Sequence, residues 1–484
     1  MTLLRLTLKY ARPQAGWILG VLVFQLIATV AALSLPGLNA VIIDRGVAAG
    51  DPDVIWSTGG TMLLICGIQL LSAVAGVVLG ARAATQLGRD LRRAVYTAVD
   101  GLGTEQVAAF GVPTLLTRST NDVQQVQMLV LMTLNTLVSA PIMCVGGIVL
   151  ALREDVSLAW LVWSSVLLLT IVVGGLVLWV LPMFRELQGR IDEINGVLRE
   201  HIVGVRTVRA FVREAHEAER YRRVNEALTR VSVRVGQVFV LLFPAISMVL
   251  HLASAAVLWF GGHQVAAGEL HIGSLTAFLQ YLIQILVAVM TAVFMVMMIP
   301  RAVVAGERIT ELLSASGTPW GDGQASVGEQ HRVAFTGVSY GYPGAEEPVL
   351  RDISFSVPPG TTTAIVGATG SGKSTIVGLL AGFTTPSRGR VRIGDADPAE
   401  LPRADRGRVI GLVPQRAMLF SGTVASNLRV ADSAADEAGL WAALEVAQAA
   451  DFVRALPGGL EAPIAQGGRN LSGGQRQRLC IARA

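Results

Sequence analysis

The sequence predicts a multidomain membrane protein: a six-helix, all-α membrane-spanning domain at 1–312, a linker at 313–330 and an α/β soluble domain at 331–484. Three observations predict it. Hydrophobic residues make up 52% of the chain and charged residues 15%, too little charge to clothe a soluble protein of 484 residues. Six apolar stretches each reach the roughly 20 residues that a bilayer crossing requires. Near Leu312 the composition then changes, and short β-type runs surround a glycine-rich loop.

The six spans fall at about 15–36, 58–81, 128–150, 157–181, 236–260 and 273–299. Arg5, Lys9 and Arg12 precede the first, and no small-residue cleavage site follows it, so it reads as an uncleaved span. The short Arg153-Glu154-Asp155-Val156-Ser157 joins the third and fourth as a tight turn outside one face of the membrane. The stretch from Phe184 to Gly236 carries eleven arginines, whereas the loop from Gly261 to Gly273 has no Lys or Arg. The positive-inside rule therefore places both termini, both long loops and the soluble domain in the cytoplasm, in a multi-pass protein of the cell inner membrane. Acids at Glu186, Asp192, Glu193, Glu200, Glu214, Glu217 and Glu219 interrupt the arginines, the pattern of a solvated helix face with local ion pairs. The partner expected of this region is the lipid bilayer and not nucleic acid. Cys66, Cys144 and Cys480 show no metal or disulfide spacing and read as small buried hydrophobes.

Inside the spans the polar residues are mostly neutral, such as Gln25, Gln69, Asn135, Gln280 and Gln284. Asp44, Arg45, Arg153, Glu154 and Asp155 fall near the outer ends. Met290, Met295, Met297 and Met298 cluster in the sixth span, where packing competes with an adaptable apolar pocket. A small hydrophobic substrate, drug-like or lipid-like, is the expectation.

After the Gly/Ser/Pro linker come "RVAFTGVSYGY", "ISFSV" and "TTAIVG", all β-type. The last leads into Gly367-Ala368-Thr369-Gly370-Ser371-Gly372-Lys373-Ser374, followed by Thr375 and an apolar helix. This matches G-x-x-x-x-G-K-[ST] in full, in the required order of strand, loop and helix. Glycines let backbone N–H groups turn toward phosphates, Lys373 reaches the β- and γ-phosphates, and Ser374 can ligate Mg²⁺. Lys9 and Lys373 are the only lysines among 39 basic residues, so an arginine-favouring chain keeps lysine where a compact cation is needed.

Together with "LSGGQRQR" at 471–478, these residues resemble the ATP-binding cassette transporters of exporter type, in the half-transporter arrangement, over the whole chain. The resemblance implies ATP and Mg²⁺ as cofactors and a second half-transporter as partner. It implies that Leu471, Ser472, Gly473, Gly474 and Gln475 contact the γ-phosphate of ATP held by the partner. Tyr342 would stack on adenine, and Gln415 would touch Mg²⁺ and the attacking water. The segments 115–126 and 204–221 resemble those flanking two coupling helices that dock on the nucleotide-binding domains.

The sequence departs from the family pattern in two ways. Before the signature it reads Ala465-Gln466-Gly467-Gly468-Arg469-Asn470 where an acidic stretch is usual, as in members that pair with an unlike partner. The family's Asp–Glu strand end, D-loop and switch histidine would follow Ala484, so the chain is expected to be a C-terminally truncated fragment, inactive as an ATPase alone. Two alternatives stay open: an importer on the same fold, for a lipophilic iron chelate, and a non-hydrolysing partner subunit of a heterodimer.

Overall fold

A computed structural model describes residues 2–296, 298–315, 327, 331–342 and 344–484. The chain forms two units, Met1–Tyr96 with Leu116–Leu313, and Thr97–Leu115 with Ser314–Ala484. Apart from residues 313–315 and 327, the linker expected at 313–330 lies outside the described residues.

The first unit is all helix. Its spanning segments are α1 (Leu3–Val47), α2 (Pro52–Asp100), α4 (Val112–Glu154), α5 (Ala159–Ala210), α6 (Glu214–Ala266) and α7 (Ile272–Val296). The short α3 (Thr104–Phe110), between α2 and α4, belongs to the second unit. A helix such as α2, with 49 residues, is roughly 70 Å long at 1.5 Å per residue, far beyond a hydrocarbon core of about 30 Å. Only part of it is apolar; the rest carries the charge that water demands. Pro36, Pro182 and Pro244 sit inside helices, each removing one backbone donor.

Helix α7 lies at the centre of the packing, with Phe278, Tyr281, Leu282 and Ile285 buried among Leu33 of α1, Leu169 of α5 and Val257 of α6. At Gly147 of α4 an added Cβ would come within 2.8 Å of Ile285, so a small residue sets how closely α4 and α7 approach. Asp44 accepts a hydrogen bond of 2.7 Å from the Gly273 N–H, satisfying a donor at the start of α7. Leu63, Leu64, Leu70 and Leu71 of α2 point outward, as lipid-facing residues do. Cys66 shares that exposed surface, contrary to the burial expected of it, because apolar side chains on a spanning helix need not face protein. Cys480 is buried and Cys144 half-buried. Met295 is buried and Met290 and Met298 half-buried, while Met297 lies outside the described residues.

The arginine-rich stretch is the lower half of the α5–α6 hairpin. Its charges are spent on each other: Arg190–Glu193 at 2.9 Å, Arg222–Glu219 at 2.7 Å and, across the hairpin, Arg220–Glu200 at 2.6 Å. At the tip, Val212 adopts φ +51°, a conformation β-branched residues avoid, with Phe211 and Val212 both exposed.

In the second unit β1 (Val333–Tyr340) pairs antiparallel with β2 (Leu350–Val357) and β3 (Arg388–Ile393), in the order β2-β1-β3. Phe335 is opposite Phe355, their rings stacked at 4.6 Å, and with Val338, Tyr340, Leu350 and Val391 it covers Ile376 and Leu379 of helix α8 (Lys373–Leu380). "TTAIVG" is not a strand here, against expectation: residues 361–368 carry no regular secondary structure and join no ladder. A β-strand exists only through neighbours that take its N–H and C=O groups, and among the described residues none pairs with this segment. A second apolar cluster gathers Leu419, Val424, Leu428, Leu444, Val453, Ile464, Leu471 and Leu479. Asn427, 1% exposed, pins it by accepting from Phe420 N–H and donating to the Phe420 and Thr423 carbonyls, at 2.8–3.0 Å.

Candidate nucleotide-binding site

The glycine-rich loop is shaped by backbone that side chains resist. Gly370 and Gly372 have φ of +88° and +84°, and Gly372 is the N-cap of α8. A Cβ on Gly372 would sit 2.5 Å from Leu350 Cδ2, so the loop presses directly on the sheet. The first N–H groups of α8, at Lys373, Ser374 and Thr375, have no intrahelical acceptor and carry the positive end of the helix dipole. Lys373 Nζ donates to the carbonyls of Gly367 at 2.9 Å and Ala368 at 2.7 Å, curling over its own loop. These are neutral acceptors, which phosphate oxygens can replace with stronger, charge-assisted bonds. Ser374 is exposed and Thr375 buried.

Tyr342 is half-exposed, and its hydroxyl lies 3.3 Å from Thr375 Oγ1. An aromatic face therefore stands beside the phosphate loop, where a base attached to the phosphates could stack. The Tyr340 ring meets it edge-on at 5.1 Å and 83°. Gln415 lies exposed in a bend just before the second apolar cluster.

The signature residues are built separately from the loop. Leu471 is buried in the second cluster, and Ser472 caps α9 (Gly473–Arg483). Its Oγ accepts from Gln475 N–H at 3.2 Å while Gln475 Oε1 accepts from Ser472 N–H at 2.9 Å, a reciprocal box that fixes the helix start. Nothing stands within 4 Å of where a Cβ would lie on Gly473 or Gly474, so the backbone there is open to approach. Gly467 and Gly468 both have positive φ, and Arg476 braces them by donating to the Gly468 and Leu471 carbonyls. Among the described residues, the hydrogen bonds of the signature stay within the second cluster and its neighbouring turns.

Sequence reasoning missed one group that touches the site. Glu105 of α3 accepts hydrogen bonds from Tyr340 Oη at 2.5 Å and from Thr384 Oγ1, and Thr104 Oγ1 donates to the Phe383 carbonyl at 3.0 Å. Burial, with the Glu105 bond added, pushes the Tyr340 phenol up to about 12. The available signal was the pair of tyrosines two residues apart in "YGYP", where a buried phenol needs a partner.

The two halves of the chain match two family descriptions, the ABC transporter transmembrane region over residues 18–289 and the ABC transporter over residues 350–484. This chain belongs to the ABC transporter family. It is a half-transporter of exporter type, with its spanning helices ahead of its nucleotide-binding domain. It is 45% identical to an uncharacterized ABC transporter ATP-binding protein of Mycobacterium bovis, over all of this chain and 84% of that one. It is 28% identical to an ATP-dependent lipid A-core flippase of Chromobacterium violaceum, over 98% of this chain and 82% of that protein. A multidrug efflux ATP-binding/permease protein of Mycobacterium tuberculosis shares 30% identity over 95% of this chain and 38% of its own length.

Proposed function

We propose that this ABC transporter moves a hydrophobic, drug-like or lipid-like substrate across the cytoplasmic membrane as one half of a dimer, powered by ATP bound at the Lys373 loop. The observation that carries the nucleotide assignment is the loop itself: two left-handed glycines, a helix N-terminus and a lysine held by exchangeable neutral acceptors, the Gly367 and Ala368 carbonyls and the Ser371 hydroxyl, with Tyr342 alongside. Gly367 to Thr375 would bind the phosphates and Tyr342 the adenine. The oxygens of Ser374 and Gln415 are hard donors of the kind Mg²⁺ accepts.

Leu471 to Gln475, with open backbone at Gly473 and Gly474, would serve the nucleotide on a partner's loop, and the Gln466-Gly467-Gly468 turn favours an unlike partner.

The substrate class rests on a cavity of about 1000 Å³ in the first unit, lined by Val30, Leu33, Leu38, Val145 and Val149, with Arg153 and Glu154 also on its wall. The names of the lipid A-core flippase and of the multidrug efflux protein point the same way. The decisive experiment is photolabelling of the purified protein with an azido-ATP, which Lys373→Ala should reduce at least tenfold. Labelling equal to the wild type would remove the site.

A further inference from the structure

The chain of contacts from Glu105 to the phosphate loop carries a role that the motifs do not assign. We propose that Glu105 is a positioning residue for nucleotide binding: through Tyr340 it holds Tyr342 in the orientation that accepts the base. The inference rests on the reading of Tyr342 and Lys373 as the nucleotide site.

Three observations support it. The Glu105 carboxylate takes the Tyr340 phenol at 2.5 Å and also the Thr384 hydroxyl, so two donors fix its place. Tyr340 is 2% exposed and sits in the apolar cluster with Leu350, Ile376 and Leu379, so its hydroxyl depends on Glu105 rather than on bulk water for a partner. The Tyr340 ring stands at 83° to that of Tyr342, whose hydroxyl reaches Thr375, two residues beyond Lys373. Edge-to-face geometry has a preferred angle, so rotating one ring tilts the other.

Simple attachment of α3 is already supplied elsewhere. Thr104 binds the Phe383 carbonyl, and Gln106 binds the Ala315 carbonyl at 3.0 Å while closing on the Gly103 N–H at 3.0 Å. The Glu105 carboxylate, half-buried between the Tyr340 and Thr384 hydroxyls, adds a further bond. Its distinguishing property is direction, because it anchors the phenol oxygen and with it the axis along which the Tyr340 ring points. Linkage then makes the effect reciprocal: whatever Glu105 adds to base binding, the bound base adds to the hold on α3.

The test separates base from phosphate. In the purified full chain, affinities for ATP and for inorganic tripolyphosphate are measured for wild type, Glu105→Ala, Glu105→Gln, Tyr340→Phe and Lys373→Ala. Glu105→Ala and Tyr340→Phe should weaken ATP about three- to tenfold and leave tripolyphosphate within twofold, the range of one lost hydrogen bond. Glu105→Gln, which still offers an oxygen to the phenol, should recover part of the ATP affinity. Hydrogen exchange at amides 103–110 should slow with ATP in the wild type and not in Glu105→Ala. Equal losses for both ligands, or none in either variant, while Lys373→Ala abolishes binding, would overturn the positioning role alone. Wild-type binding by Lys373→Ala would overturn the site assignment, and this role with it.

Discussion

Replacing Gly372 with alanine tests whether the loop geometry is what binds nucleotide. At φ +84° an L-residue loses roughly 1–2 kcal/mol against glycine. The new Cβ would also lie 2.5 Å from Leu350 Cδ2 and 3.3 Å from Val349 Cγ1. Leu350 is 2% exposed and enclosed by Phe335, Tyr340 and Ile376, so it cannot swing into solvent. Overpacking of that kind costs about 1–3 kcal/mol. If the loop relieves the strain by moving, its N–H groups leave the phosphate position, and at least 2 kcal/mol appears as a roughly 30-fold loss of ATP affinity. Gly378→Ala is the control in the same helix, because nothing lies within 4 Å of its Cβ and the position is helical. There alanine should be neutral or stabilising by up to about 1 kcal/mol. Fluorescent-nucleotide titration of both variants, with thermal unfolding to check folding, measures the contrast. Equal affinity in Gly372→Ala and Gly378→Ala would refute the argument.

Three further outcomes follow from the structure. Asn427→Ala leaves the Phe420 N–H and two carbonyls without their side-chain partner, so the second cluster should lose about 1–3 kcal/mol and its segment from Gln415 to Ser472 should become protease-sensitive. A cysteine at Ser232, an exposed position of the arginine-rich hairpin, should resist membrane-impermeant thiol reagents in intact cells once Cys66, Cys144 and Cys480 are replaced; ready labelling would invert the topology. Because the Tyr340 phenol is raised to about 12, the stability it contributes is complete below the ordinary phenol value near 10 and falls as pH rises through 12. Ultraviolet difference titration of the wild type against Tyr340→Phe should show one phenol ionising in that window, and its absence would refute the buried bond.

Much of the molecule was legible in the chain because the signals are local. Apolar runs of about 20 residues mark spans whatever surrounds them, since the bilayer and not a partner residue sets their length. The glycine-rich loop is legible for the same reason: Gly370, Gly372 and Lys373 fall within nine consecutive residues, and the left-handed backbone and helix start they specify are local. Ser472 and Gln475 likewise announce a helix start by a reciprocal bond across three residues.

What depends on distant residues was hidden or misread. "TTAIVG" has the composition of a strand, but pairing is a property of two segments, and composition describes only one. Cys66 has an apolar neighbourhood in sequence, yet which side of α2 meets lipid is decided by where the other helices pack. Glu105 is 235 positions from Tyr340 and 279 from Thr384, with no pattern linking them. The sequence by itself determined the spans, the loop and the capped signature helix, because each is specified by short-range geometry. Only the tertiary structure decided that α3 joins the second unit and sets the Glu105 carboxylate on Tyr340, whose ring adjoins Tyr342, because a long-range hydrogen bond is selected by proximity in space and leaves no period along the chain.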